Sequence, residues 1–137
     1  MPPKPRELRF AVDLAASGDY LDESGVRLEV PAEWTPEHLL LAALLRCSLA
    51  SLEYHAGRAG LELGARSGAA RTMITTRESD GRYAVVEAQL ELTVEITPEP
   101  DDLGELLAKA ERDCFVGASL TAKPVYRWTV NGRTIEA

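Results

Sequence analysis

The sequence predicts an α+β fold, with antiparallel sheets around one long buried helix. Two features carry that expectation. Segments with a two-residue apolar period alternate with helical ones in the order βββ-α-ββ-α-β. The first helical segment is apolar nearly all round from residue 39 to residue 45, the mark of a helix covered on several sides. A length of 137 residues suits one domain over residues 1–137, with the proline-rich residues 1–6 expected to be a flexible N-terminus.

Each element has a local reason. In residues 7–14, Leu8, Phe10, Val12 and Leu14 alternate with Arg9, Ala11 and Asp13, which is strand periodicity. Turn signals stand at Gly18-Asp19 and Ser24-Gly25, and in residues 26–30 Val26, Leu28 and Val30 alternate with Arg27 and Glu29. The N-terminal part therefore reads as a short antiparallel meander. Thr35-Pro36-Glu37 then opens the central helix, with a hydroxyl for the N-cap, proline at the first helical position and an acid in the first turn. Gly57 or Gly60 ends it. Residues 61–97 return to strands, with runs at 69–76 and 83–96 separated by Ser79-Asp80-Gly81. In the second run Leu90, Leu92, Val94 and Ile96 alternate with Glu91, Thr93 and Glu95, so one face is wet. Asp101 or Asp102 caps a second helix that ends near Cys114, and residues 115–120 begin another helical turn. Residues 124–130, closed by Asn131-Gly132, read as the last strand.

The formal net charge of -7, with no basic face, argues against nucleic-acid binding. The first residues lack the apolar core of a secretory signal. The longest uninterrupted apolar run, residues 39–45, is too short to span a bilayer, so no membrane partner is expected. The expected location is the cytoplasm, where lasting disulfides are uncommon. The two cysteines, Cys47 and Cys114, then read as catalytic, redox-sensing or simply buried thiols.

Cys47 falls mid-helix in the most apolar part of the chain, and on environment alone it reads as core packing. Arg46 projects from a different helix face and is a poor activator. Cys114 precedes a new helical turn, which favours its thiolate, while the adjacent Asp113 opposes it. The only histidines, His38 and His55, have no metal-ligand spacing, so no metal site is expected. Trp34 reads as a hydrophobic staple or as a wall of the substrate mouth, and Tyr126 and Trp128 as sheet packing.

Arg27, Glu37 and Cys47 follow one another at ten-residue intervals, and Cys114 comes 67 residues after Cys47. This constellation resembles the family of osmotically inducible protein C and the organic hydroperoxide resistance proteins (OsmC/Ohr). The resemblance is carried by Thr35-Pro36-Glu37-His38-Leu39-Leu40 leading to Ala42-Ala43 and Cys47. It is carried again by Cys114-Phe115-Val116-Gly117-Ala118-Ser119-Leu120. The element order agrees with the family over about residues 7 to 131.

The resemblance implies an OsmC-like fold in an intertwined homodimer and a cysteine peroxidase acting on organic hydroperoxides in oxidative-stress defence. Cys47 would attack the O–O bond and become a sulfenic acid; Cys114 would resolve it as a disulfide, to be reduced by an external dithiol or lipoyl-type reductant. Arg27 would stabilise the Cys47 thiolate and Glu37 would hold the guanidinium. No bound cofactor is implied. Glu37 and Cys47 would lie about 15 Å apart along one straight helix at 1.5 Å per residue. The implied dimer answers this by building each site from both chains.

The chain also departs from the family pattern. Phe115 stands where the second-cysteine motif commonly has proline, and the early loop at residues 15–21 lacks the arginine of the Ohr branch. Arg27, in the strand before the helix, matches the OsmC-like placement, with an exposed salt-bridging arginine as the alternative. Two other functions fit the same fold: a non-catalytic protein that binds a small apolar ligand, and a thiol redox sensor.

Overall fold

Residues 7–14 alternate as a strand would, but only Val12–Leu14 (β1) finds a partner. It pairs antiparallel with Tyr20–Asp22 (β2), which pairs with Arg27–Leu28 (β3), giving a three-stranded sheet in the order β1-β2-β3. Asp22 sets the second turn, its Oδ1 accepting from the N–H groups of Ser24 and Val26 at 2.8 and 2.9 Å. The structure, a computed structural model, describes residues 5–136, and most of the expected flexible terminus at 1–6 lies outside them. The chain divides into two compact units, Met1–Pro36 and Glu37–Ala137. Among the described residues of the first unit none is buried, and Leu8, Phe10, Val12, Leu14, Val26 and Leu28 are all more than half exposed. That is an apolar sheet face without a cover of its own.

The second unit is built on the helix Pro36–Arg58 (α1), followed by two 15-residue strands, Glu62–Thr76 (β4) and Tyr83–Thr97 (β5). These pair antiparallel, with register shifts between Leu63 and Arg66 and between Met73 and Ile74. The helices Leu103–Arg112 (α2) and Phe115–Ala118 (α3) cross over to Val125–Val130 (β6), which lies parallel to β5. A two-residue turn then leads into Arg133–Glu136 (β7), completing the sheet order β4-β5-β6-β7. The structure thus adds β7 to the anticipated order, and the helical turn expected at 115–120 is α3. Asp102 is the cap of α2, its Oδ1 accepting from the Glu105 N–H at 3.0 Å.

The core lies between α1, α2 and one face of this sheet. Alternate residues of β5 (Ala88, Leu90, Leu92, Val94, Ile96) turn inward, and Trp128 and Val130 of β6 join them. From α1 only the stripe Leu44, Ser48, Leu52 and Ala56 is buried, one residue per turn. Leu39, Leu40, Leu41 and Leu45 are left half-buried. By length and composition α1 is sufficient to cross a bilayer, a property that the short run 39–45 did not reveal; its buried stripe packs into the core of its own unit.

Candidate active site

Cys47 precedes Ser48 in α1 and so sits at the edge of the buried stripe, half-buried. It lines an open cleft of about 690 Å³ together with Ala43, Ala50, Phe115 and Val116, and Arg46, expected on a different helix face, lines the same cleft, as does Asp113. Cys114 stands in the N-cap position of α3, with no accessible surface. The crossover between β5 and β6 brings α3 to α1, and there the two thiols, both free, stand close enough for each to shift the other's ionisation. A larger cleft of about 730 Å³ runs between α2, α3 and β6, but neither cysteine lines it. The smaller cleft is therefore the one with thiol chemistry.

The proton of the pair is distributed unequally. Burial pushes the Cys47 thiol up, as does the neighbouring Cys114, against a smaller pull from the N–H groups of Val116 and Phe115. Cys114 has the opposite balance. Its burial acts to raise it, but Ser48, the Gly117 N–H, Cys47 and Tyr126 together bring the thiol below its ordinary value. The Cys114 side chain makes no capping hydrogen bond, so the Gly117 contribution is a favourable dipole rather than a well-formed bond. Ser48 Oγ donates to Cys114 Sγ at 3.4 Å and lies 2.9 Å from the Tyr126 hydroxyl, all three groups being buried.

The surroundings hold this arrangement in place. Tyr126 stacks on Trp128 with ring centroids 5.8 Å apart and planes 4° from parallel, and Trp128 Nε1 donates to Glu111 Oε2 at 3.1 Å. Ser51 Oγ donates to the Ala110 carbonyl at 2.8 Å, tying α1 to α2. Asp113 does not confront Cys114 as an unmatched charge. It accepts from Arg112 at 2.9 and 3.0 Å and lies 2.7 Å from His55 Nε2. Arg112 first, then His55, hold its carboxyl at about 2.

Of the four residues singled out in the sequence, Cys47 and Cys114 are thus neighbours. Glu37 is on the same unbroken helix as Cys47, about three turns earlier, so a single chain does not join them. Arg27 belongs to the first unit, where its exposed guanidinium lies 3.7 Å from Asp19 and 3.8 Å from Glu29. Ser48 and Tyr126 were missed. Ser48 is the one hydroxyl in the stripe Leu44, Ser48, Leu52 and Ala56, and a polar group on a buried face implies a buried partner. Tyr126 gave the weaker signal, a phenol alternating inward beside Trp128.

The α+β fold thus sets its two free cysteines side by side, one on a cleft and one buried. The profile of the OsmC-like protein family matches residues 30–129, and the chain belongs to that family. No curated protein sequence matches it. Among solved structures it is similar to an OsmC-like protein of unknown function from Vibrio cholerae, with a TM-score of 0.71 and 17% identity over 89% of this chain and 99% of that one. An organic hydroperoxide resistance protein from Elizabethkingia anophelis gives a TM-score of 0.62 and 18% identity, with 93% and 98% covered. One from Legionella pneumophila gives 0.57 and 17%, with 92% and 98% covered. At such identities the likeness is one of fold.

Proposed function

We propose that the protein is a cytoplasmic, thiol-dependent peroxidase that reduces organic hydroperoxides through Cys47 and Cys114. The observation that carries this reading is a half-buried thiol on a cleft with a second, fully buried thiol near enough to affect its ionisation. The Cys47 thiolate attacks the terminal oxygen of the hydroperoxide; the O–O bond breaks, Cys47 becomes a sulfenic acid, and the alkoxide leaves as the alcohol once protonated. Cys114 sulfur then attacks Cys47 sulfur, forming the disulfide and releasing the hydroxyl as water. An external dithiol returns both thiols by exchange, itself becoming a disulfide. The apolar cleft walls favour alkyl hydroperoxides over hydrogen peroxide.

A homodimer is part of the reading. The uncovered apolar residues of the first unit each gain up to about 1.5–3 kcal/mol when fully taken from water, and the half-buried leucines of α1 add less, enough together to support a stable interface. Arg27 and Glu37 would complete the site across that interface. Mass spectrometry of the reduced protein after one equivalent of tert-butyl hydroperoxide tests the chemistry. A Cys47–Cys114 disulfide is expected in the wild type, and no peroxide consumption in Cys47→Ser. Two free thiols after treatment would sink the peroxidase and favour the ligand-binding alternative.

A further inference from the structure

The larger cleft, about 730 Å³ between α2, α3 and β6, has a volume in the range that holds small molecules. It shares no residue with the Cys47 cleft, and none of its lining belongs to β1–β3 or to α1. Its walls are small or apolar. Gly104, Leu107 and Ala108 line it from α2, Gly117 and Leu120 from α3 and its end, and Ile135 from β7. The α2 residues follow one helix face at spacings of three and four, and the next position on that face is Glu111.

Glu111 brings a charge to this apolar lining. Its side chain is half-buried, and Oε2 accepts from Trp128 Nε1 at 3.1 Å. The neighbouring acids have cations: Lys109 lies 3.1 Å from Glu105, and Arg112 lies 2.9 Å from Asp113. Among the described residues no arginine, lysine or histidine pairs with Glu111, and its Oε1 has no hydrogen-bond partner. A charge drawn partly out of water without a counterion costs free energy that a cation would return. Burial accordingly holds the carboxyl above its ordinary value, and the bond from Trp128 offsets only part of that.

The geometry points to a binding site for a primary ammonium group carried on an apolar body, with Glu111 as the counterion and the cleft walls around the body. The ammonium donates to Oε1 while Oε2 keeps the indole N–H, so both oxygens are satisfied.

The other charged groups of the cleft leave room for this. Arg112 on α2 is held twice by Asp113, at 2.9 and 3.0 Å. Lys123, ahead of β6, is exposed, where water and salt screen it. Tyr126 faces Glu111 from β6 and keeps its proton, because burial, first of all, pushes the phenol far up. Trp128 is neutral, and α3 and β7 present only Gly117, Ala118 and Ile135. Glu111 is therefore the one lining group whose charge changes between about pH 4 and pH 7.

The indole N–H resonance of Trp128 reads the site directly, since that group is bonded to Glu111. n-Hexylamine, n-hexanol and hexanoate carry one apolar body on three head groups. At pH 7 hexylamine should shift the resonance saturably, with an affinity about tenfold or more above that of hexanol, as a hydrogen bond to a charged group gives. The preference should vanish in Glu111→Gln, which keeps an acceptor for the indole. It should also vanish in the wild type as pH falls below the Glu111 midpoint and the carboxyl takes up its proton. Ala108→Leu, which fills the cleft and leaves Glu111 in place, should weaken hexylamine binding. The proposal is overturned if hexylamine gives no saturable shift, if hexanol or hexanoate binds as tightly, or if the amine preference survives Glu111→Gln. Unchanged hexylamine affinity in Ala108→Leu would place the amine outside the cleft and overturn it as well.

Discussion

Gly68 of β4 lies against Leu45 of α1 with no room for a methyl group between them. A Cβ at position 68 would stand 3.2 Å from Leu45 Cδ2, 2.8 Å from Leu92 Cδ2 and 2.9 Å from the Glu91 carbonyl oxygen. The leucines can rotate away. The carbonyl belongs to the β4–β5 ladder, in which Gly68 faces Leu92 and Ala69 faces Glu91, and it cannot. Gly68→Ala should therefore destabilise the protein by about 1–3 kcal/mol, lowering the midpoint of thermal unfolding by several degrees. Gly57→Ala, in the last turns of α1 with open space around it, should instead stabilise by about 0.5–1 kcal/mol. Equal midpoints for the two variants would show that the β4–β5 ladder gives way to a methyl group at this point.

The exposed apolar face of β1 gives a prediction about assembly. Phe10, just before β1, and Val12 within it are 81% and 69% exposed, too much apolar surface to leave in water along one short segment. Phe10→Asp combined with Val12→Asp should turn a dimer into a monomer in sedimentation equilibrium. A wild type that is monomeric at all concentrations would refute the proposed interface.

Glu111 is held above its ordinary value by burial, partly offset by the hydrogen bond from Trp128. The folded state thus binds this proton more tightly than the unfolded chain. Ionised Glu111 subtracts from stability above its folded pKa and contributes nothing below its unfolded value of about 4.3. Glu111→Gln keeps an acceptor for the indole and removes the charge. Its urea midpoint should exceed the wild type's at neutral pH, and the gain should vanish near pH 3.

Asp113 has the opposite sign. With its folded carboxyl at about 2, its stabilisation is complete above the unfolded value of about 3.9 and is lost as pH falls toward 2. The side chain is 43% exposed, so the contribution is screened and small. Asp113→Asn should lower the neutral-pH urea midpoint slightly and flatten its decline between about pH 4 and pH 2. An unchanged acid limb would show that Arg112 and His55 do not hold this carboxylate.

Much of the fold is legible because burial writes itself as periodicity. Leu90, Leu92, Val94 and Ile96 announce β5, and Pro36-Glu37 announces the start of α1. Strand β7 left no such mark: Ile135 is its single large apolar residue, and it is held by pairing with β6. The first half of β4 is hidden in the same way, since Gly64, Ala65, Ser67 and Gly68 are small where α1 and Glu95 come close. Conversely, residues 7–11 alternate and form no strand, because alternation supplies a face but not a neighbour to bond with. In the site, the cysteines were legible as a pair only through their separation, while Ser48 and Tyr126 depend on α1 crossing β6, which no local pattern encodes. The places proposed for Arg27 and Glu37 depend on a second chain, beyond what one chain's periodicity can express.

The turn between β6 and β7 bears on how the protein ages. Asn131 and Gly132 both have positive φ, 51° and 81°, as this two-residue hairpin requires. Asn131 also continues the sheet: its N–H donates to the Val94 carbonyl, Oδ1 accepts from the Ile96 N–H at 2.9 Å, and Nδ2 donates to the Ile96 carbonyl at 3.0 Å. An asparagine followed by glycine is the pair most open to spontaneous loss of its amide, because the next backbone nitrogen can swing onto the side-chain carbonyl. Here that carbonyl is bound on both sides of its amide and cannot meet the nitrogen. The fold thus shelters its own most perishable bond, and any condition that frays the end of β5 also starts a chemical clock at Asn131.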